Sequence, residues 1–128
     1  MFQRKRITGI VEKNLGRGTR LGFPTANIRI KEADLEEGIY TALTEHDGSK
    51  YPSLAFIGAA ATFGENEKKL EVYILDFSHN LYGQEICVKL LEKIREARKF
   101  DTEADLVEQM NRDEKAARDF FKTYGRTE

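Results

Sequence analysis

The sequence predicts a mainly β protein, a small closed antiparallel barrel of six strands with one amphipathic helix packed outside it. Three observations carry that expectation. Six short segments rich in β-branched and aromatic residues are separated by turns containing Gly, Asp or Asn. The most regular of them, residues 69–77, alternates so that Leu70, Val72 and Ile74 share one face and Glu71, Tyr73 and Leu75 the other. Beyond residue 101 the apolar period changes, and Leu106, Met110, Ala117, Phe120 and Phe121 recur at helical spacing. A run of strands followed by one helix, in a chain of 128 residues, fits a single barrel domain spanning 1–128. The pattern leaves the strand order open.

Taken in order, residues 7–12 form a first strand behind the basic leader Arg4-Lys5-Arg6. A second strand covers residues 25–30, and an acidic turn follows it. Residues 38–44 form a third strand, joined to a fourth at residues 50–58 through Asp47-Gly48, the strongest short hairpin signal. Pro52 keeps the start of that fourth strand near an edge. Residues 69–77 and 85–91 complete the six, with Cys87 read as a small core residue. Residues 94–100 form a basic tail on the last strand. Asp101 or Thr102 then caps the helix, with Phe100 placed to staple its first turn.

The totals exclude several classes of protein. A net charge of −1 argues against a nucleic-acid coat, so no nucleic-acid partner is expected and any anion site must be local. One cysteine and two histidines make neither an internal disulfide nor a structural zinc site. No apolar run reaches the length of a membrane span and the N-terminus has no signal-peptide core, so a cytoplasmic protein is expected. A barrel this small with no evident exposed apolar patch is expected to be a monomer.

Chemistry concentrates in Arg17-Gly18-Thr19-Arg20-Leu21-Gly22-Phe23-Pro24-Thr25-Ala26-Asn27. Gly16, Gly18 and Gly22 allow close backbone approach to a ligand, and Arg17 and Arg20 attract phosphate. Pro24 biases Phe23 toward an extended conformation, so a strand starts here and places Thr25 and Asn27 on one face. A hydroxyl and an amide oxygen side by side are hard ligands suited to Mg²⁺. The plainer reading is a surface turn feeding a strand. Glu71 poses a similar choice, between a solvent-face glutamate paired with a lysine and a functional carboxylate in an apolar strand.

The ordered blocks Gly9-Ile10-Val11, Leu21 to Ile28, Gly38-Ile39-Tyr40, Thr62-Phe63, Leu70-Glu71-Val72, Asp76-Phe77, Leu81-Tyr82-Gly83, Ile94-Arg95 and Lys99-Phe100 resemble the riboflavin kinases of bacteria and eukaryotes. The resemblance runs from Gly9 to about Arg118. It implies a six-stranded antiparallel Greek-key barrel with a C-terminal α-helix packed outside. It also implies Mg²⁺-dependent transfer of the ATP γ-phosphoryl group to the 5′-hydroxyl of riboflavin, giving FMN and ADP. Carried over residue by residue, Thr25 and Asn27 hold Mg²⁺–ATP, and Gly16, Gly18, Arg20 and Gly22 belong to a loop over the phosphates. Glu71 is then the general base, and Tyr82 lines the nucleotide side. Arg95, Arg98 and Phe100 belong to a mobile flavin loop. ATP is the co-substrate, and the choice among Mg²⁺, Zn²⁺ and Mn²⁺ is left open.

The sequence departs from the family pattern at Asn14, Thr19, Phe56 and Ala61. Asn14 stands for a glycine that opens the phosphate loop, and asparagine tolerates left-handed backbone. Many bacterial relatives carry an adenylyltransferase domain ahead of this module, so the chain is either a stand-alone kinase or an excised C-terminal domain. The competing reading is a flavin- or nucleotide-binding regulatory module on the same barrel without turnover.

Overall fold

The computed structural model describes residues 5–12, 25–30, 35–59, 68–77 and 79–124. Among them the elements run β1 (Arg6–Ile10), β2 (Ala26–Ile30), β3 (Gly38–His46), β4 (Ser49–Ala59), β5 (Lys68–Ile74), β6 (Glu85–Arg95) and α1 (Glu103–Tyr124). The strands form one antiparallel sheet in the order β1-β6-β3-β4-β5-β2. β3, β4 and β5 are successive neighbours and β6 returns to lie beside β3, which is a Greek key. The two sheet edges meet where Glu12 bridges Asn27, the Glu12 N–H donating to the Asn27 carbonyl at 2.8 Å. The seam needs glycine at position 9, because a Cβ there would stand 2.5 Å from Ile28 Cγ2. The expected barrel is therefore present and nearly closed.

Alternation along each strand sorts side chains into two layers. Ile28, Ile30, Tyr40, Ala42, Ala55, Ile57, Leu70, Val72, Ile86 and Val88 fill the barrel interior. Ile39, Leu54 and Leu75 face outward and pack under α1 against Ala117, with Phe56, Tyr73, Ile94 and Phe121 around them. Thr102 caps the helix: its Oγ1 accepts from the Asp105 N–H at 3.0 Å. The buried residues of α1 are Met110, Asp113 and Ala117, so the apolar stripe expected there is interrupted by a carboxylate.

Boundaries differ from the sequence expectation for local reasons. Asp47 and Gly48 both take positive φ, at 52° and 82°, as a two-residue hairpin of this hand requires. β5 stops at Ile74 because the chain turns, with Asp76 at φ 57°. β6 continues to Arg95 rather than ending at Leu91. Irregularities in its ladder with β3 let pairing run on to Ile39↔Arg95. One of them is braced by Thr41 Oγ1, which accepts from the Glu92 N–H at 3.2 Å. Cys87 is not a core residue: Ile86 and Val88 point inward, so Cys87 faces out and is only half-buried. No helix among the described residues is long and apolar enough to cross a membrane.

Candidate active site

The site is built on the β2–β5 pair. Asn27 is the register partner of Glu71, and Ala26 and Ile28 are the partners of Val72 and Leu70. Cross-strand partners share a face. Since Ile28, Leu70 and Val72 face the interior, Asn27 and Glu71 stand together on the outer surface. Thr25 immediately precedes β2. Thr25 Oγ1 and Asn27 Oδ1 are both buried oxygens. The Glu71 side chain is 31% exposed, and its Oε1 lies 3.2 Å from Lys69 Nζ. The lysine partner of the plainer reading is thus present at the same carboxylate that adjoins Asn27.

A cleft of about 540 Å³ opens beside this pair, between the outer face of the sheet, residues 95–100 and the first turns of α1. Thr25, Lys69 and Glu71 form one side, and Arg95, Arg98 and Phe100 the other. Phe56 and Gly58 lie on its β4 side, and Leu106 and Met110 belong to its helix side. Residues far apart in sequence are thereby brought into one concavity. Tyr82 is not part of that lining; it is 61% exposed in the turn before β6. That turn is tied to the end of β1: the Gly83 N–H donates to the Val11 carbonyl and the Val11 N–H to the Gln84 carbonyl, each at 2.9 Å. Gly16, Gly18, Arg20 and Gly22, with Asn14, Thr19 and Ala61, lie outside the described residues.

The wall opposite Glu71 is cationic and aromatic. The Arg98 guanidinium carbon is 4.8 Å from the Phe100 ring centre and that of Arg95 is 5.9 Å away. Arg95 also forks onto Asp113 of α1, Nε donating to Oδ1 at 2.8 Å and Nη2 to Oδ2 at 2.7 Å. Lys93 bonds to Glu36 at 2.6 Å and to Glu96 at 2.7 Å, and these two carboxylates hold its ammonium pKa above the ordinary lysine value.

Sequence reasoning missed Asp113, Lys69 and Gly58. Asp113 did leave a signal, a charge falling between Met110 and Ala117 on the inward helix face. Phe56, a departure from the family pattern, sits half-buried in regular strand opposite Ile39 and Glu71 and helps line the cleft. Among the described residues no group of three or more His, Cys, Asp or Glu could hold a metal ion. The hydroxyl and amide oxygens at Thr25 and Asn27 fit Mg²⁺ in another way, as a partial ligand set completed by water and phosphate.

Comparisons with known proteins bear on the family and the fold. The Flavokinase family model, described as riboflavin kinase, matches residues 2–121. The trifunctional protein RibF/MnmA of Mycoplasmoides gallisepticum is 38% identical over 117 residues, which are 90% of this chain and 18% of that protein. The RNA-binding riboflavin kinase RibR of Bacillus subtilis is 39% identical over 108 residues, 84% of this chain and 47% of that one. The bifunctional riboflavin kinase/FMN adenylyltransferase of Escherichia coli K12 is 37% identical over 117 residues, 90% and 37% of the two chains. The chain therefore spans roughly a fifth to a half of the length of these relatives. A Streptococcus pneumoniae structure described as a macrolide-efflux protein superposes with a TM-score of 0.79 at 34% identity, over 88% of this chain and 38% of that one. Riboflavin kinase from Trypanosoma brucei superposes with a TM-score of 0.66 at 24% identity, over 97% and 83%, and shares the fold.

Proposed function

This chain belongs to the riboflavin kinase family, whose model covers residues 2–121, and on that premise we propose that it transfers the ATP γ-phosphoryl group to the riboflavin 5′-hydroxyl. The products are FMN and ADP. The observation that carries the reading is the Asn27↔Glu71 register pair at the edge of a cleft whose far wall is Arg98 and Phe100. It sets a metal-type oxygen ligand beside a carboxylate, and that carboxylate, with Thr25, lines the cleft that also carries an aromatic and cationic surface suited to a flat ring system.

In this reading Glu71 accepts the proton of the ribityl hydroxyl as its oxygen bonds to the γ-phosphorus. The bond from that phosphorus to the β,γ-bridging oxygen breaks, and the electron pair leaves with ADP. A hydroxyl is a poor nucleophile, so a positioned base contributes roughly 10²–10⁴-fold. Thr25 and Asn27 would hold Mg²⁺, or Zn²⁺ or Mn²⁺ in its place. The ion, when bound, neutralises charge on the phosphates. Gly16, Gly18, Arg20 and Gly22 cover the phosphates, Tyr82 lines the nucleotide side, and Arg98 and Phe100 receive the flavin.

The test is incubation with ATP, Mg²⁺ and riboflavin, followed by chromatography for FMN. No FMN above a Glu71→Gln control would sink the proposal. A second reading, flavin binding without turnover, is favoured by the Lys69 ion pair that engages the Glu71 carboxylate. Quenching of flavin fluorescence with no product would select it.

A further inference from the structure

We propose that Asp113 is a positioning residue for the flavin-facing wall of the cleft, acting through Arg95. The inference rests on the riboflavin-kinase reading and assigns a role to a helix residue that the reading itself does not use.

Asp113 is 2% exposed and lies on the buried helix face between Met110 and Ala117, the latter packed against an apolar layer. An aliphatic side chain would satisfy that layer. A carboxylate there is costly unless it is fully bonded. Asp113 is bonded at both oxygens: Oδ1 accepts from Arg95 Nε at 2.8 Å and from Gln109 Nε2 at 3.0 Å, and Oδ2 accepts from Arg95 Nη2 at 2.7 Å. The fork fixes the plane of the guanidinium as well as its position.

Arg95 stands where that matters. It is the last residue of β6, so the chain leaves the sheet ladder at this point and runs on as the cleft wall. Its remaining nitrogen, Nη1, donates to the Glu96 carbonyl at 3.0 Å and so sets the first step of that exit. Its guanidinium also flanks the Phe100 ring, which Arg98 approaches more closely. Three of the five Arg95 N–H donors thus go to the helix and to the neighbouring backbone carbonyl. The helix anchors Arg95, Arg95 directs the wall, and the wall presents Phe100 and Arg98 to the ligand.

An apolar replacement of the pair separates positioning from packing, because exchanging both partners of a buried ion pair is often neutral for stability. Arg95→Met/Asp113→Leu and Asp113→Asn would be compared with the wild type by thermal melting, FMN fluorescence quenching and steady-state kinetics. The expected result is a double variant that melts at or above the wild-type temperature with the KM for ATP unchanged. Its FMN Kd and riboflavin KM should rise about tenfold, and those of Asp113→Asn several-fold. A stable double variant that binds FMN like the wild type would show the pair to be structural only, as would equal rises in the KM for both substrates. If the double variant fails to fold, Asp113→Asn decides alone, and an unchanged riboflavin KM overturns the proposal. A wild type that neither quenches flavin nor forms FMN brings down the functional reading first, and that outcome is distinct from the others.

Discussion

Replacing Glu71 with glutamine should separate catalysis from stability cleanly. Glu71 points away from the barrel interior, so the substitution leaves the packing of Leu70 and Val72 intact. Its ion pair with Lys69 joins side chains that are 39% and 31% exposed. A pair so solvated contributes about 0–1 kcal/mol, and the urea midpoint should move little. Loss of a general base removes roughly 10²–10⁴-fold in kcat, or about 3–5 kcal/mol of transition-state stabilisation. The assay is FMN formation at saturating ATP and riboflavin, run beside a urea titration of the same preparation. The expected outcome is a kcat at least about a hundredfold lower, with riboflavin KM changed only a few-fold. A kcat within tenfold of wild type would refute the base assignment. A stability loss of about 3 kcal/mol or more would show instead that the ion pair had been underestimated.

Other expectations follow from the same structure. Thr25→Ala and Asn27→Ala should raise the KM for Mg²⁺–ATP by about tenfold or more with little change in riboflavin binding; equal losses for both substrates would mean that the metal face is misassigned. Gly9→Ala places a methyl group 2.5 Å from Ile28 Cγ2, so the β1–β2 seam should lose about 1–3 kcal/mol by urea unfolding, and a wild-type midpoint would show that the seam yields easily. The Arg118 guanidinium bonds both Asp76 oxygens, at 2.9 and 3.0 Å, and holds the Asp76 carboxyl below the ordinary carboxylate range. A carboxyl depressed in the folded state stabilises above its unfolded pKa, and that contribution is lost as pH falls through the folded value. In Arg118→Gln the Asp76 midpoint, followed by NMR, should therefore move up, and the stability gap to wild type should close in acid. A stationary midpoint would speak against the fork in solution.

How much was legible in the sequence depended on the range of the interactions involved. Alternation in β5 is written locally, and it assigned Glu71 to the face opposite Leu70 and Val72 before any pairing was known. The Asp-Gly hairpin and the Thr102 cap are likewise four-residue events, and both form where local chemistry places them. What the sequence could not supply was register. That Asn27 falls opposite Glu71 depends on how two strands about forty residues apart slide past each other, and a shift of one residue would put Asn27 opposite a core side chain. The extension of β6 to Arg95 depends on irregularities in its pairing with β3, which composition does not reveal. Asp113 was visible only as a polar interruption in a helical stripe, and its meaning required knowing that Arg95 lies across from it.

The placement of the cleft follows from how the barrel is filled. The interior is occupied by closely packed aliphatic side chains and Tyr40, so the chemistry has to lie on the outer surface of the sheet. That surface is divided by α1. On β5, Tyr73 faces out beneath the helix and its hydroxyl donates to Glu114 at 3.0 Å, while burial and that hydrogen bond hold its pKa above the usual tyrosine value. Two residues earlier, Glu71 faces the same way but opens into the cleft. One alternation step along a single strand thus passes from packing to chemistry, and the boundary is drawn by where the helix begins. The Thr102 cap sets that beginning, and the Arg95–Asp113 fork joins the helix to the end of β6. Shortening α1 from its N-terminus should therefore disturb the cleft before it disturbs the barrel, because Leu106 and Met110 line the cleft whereas the Ala117 contact lies further along the helix.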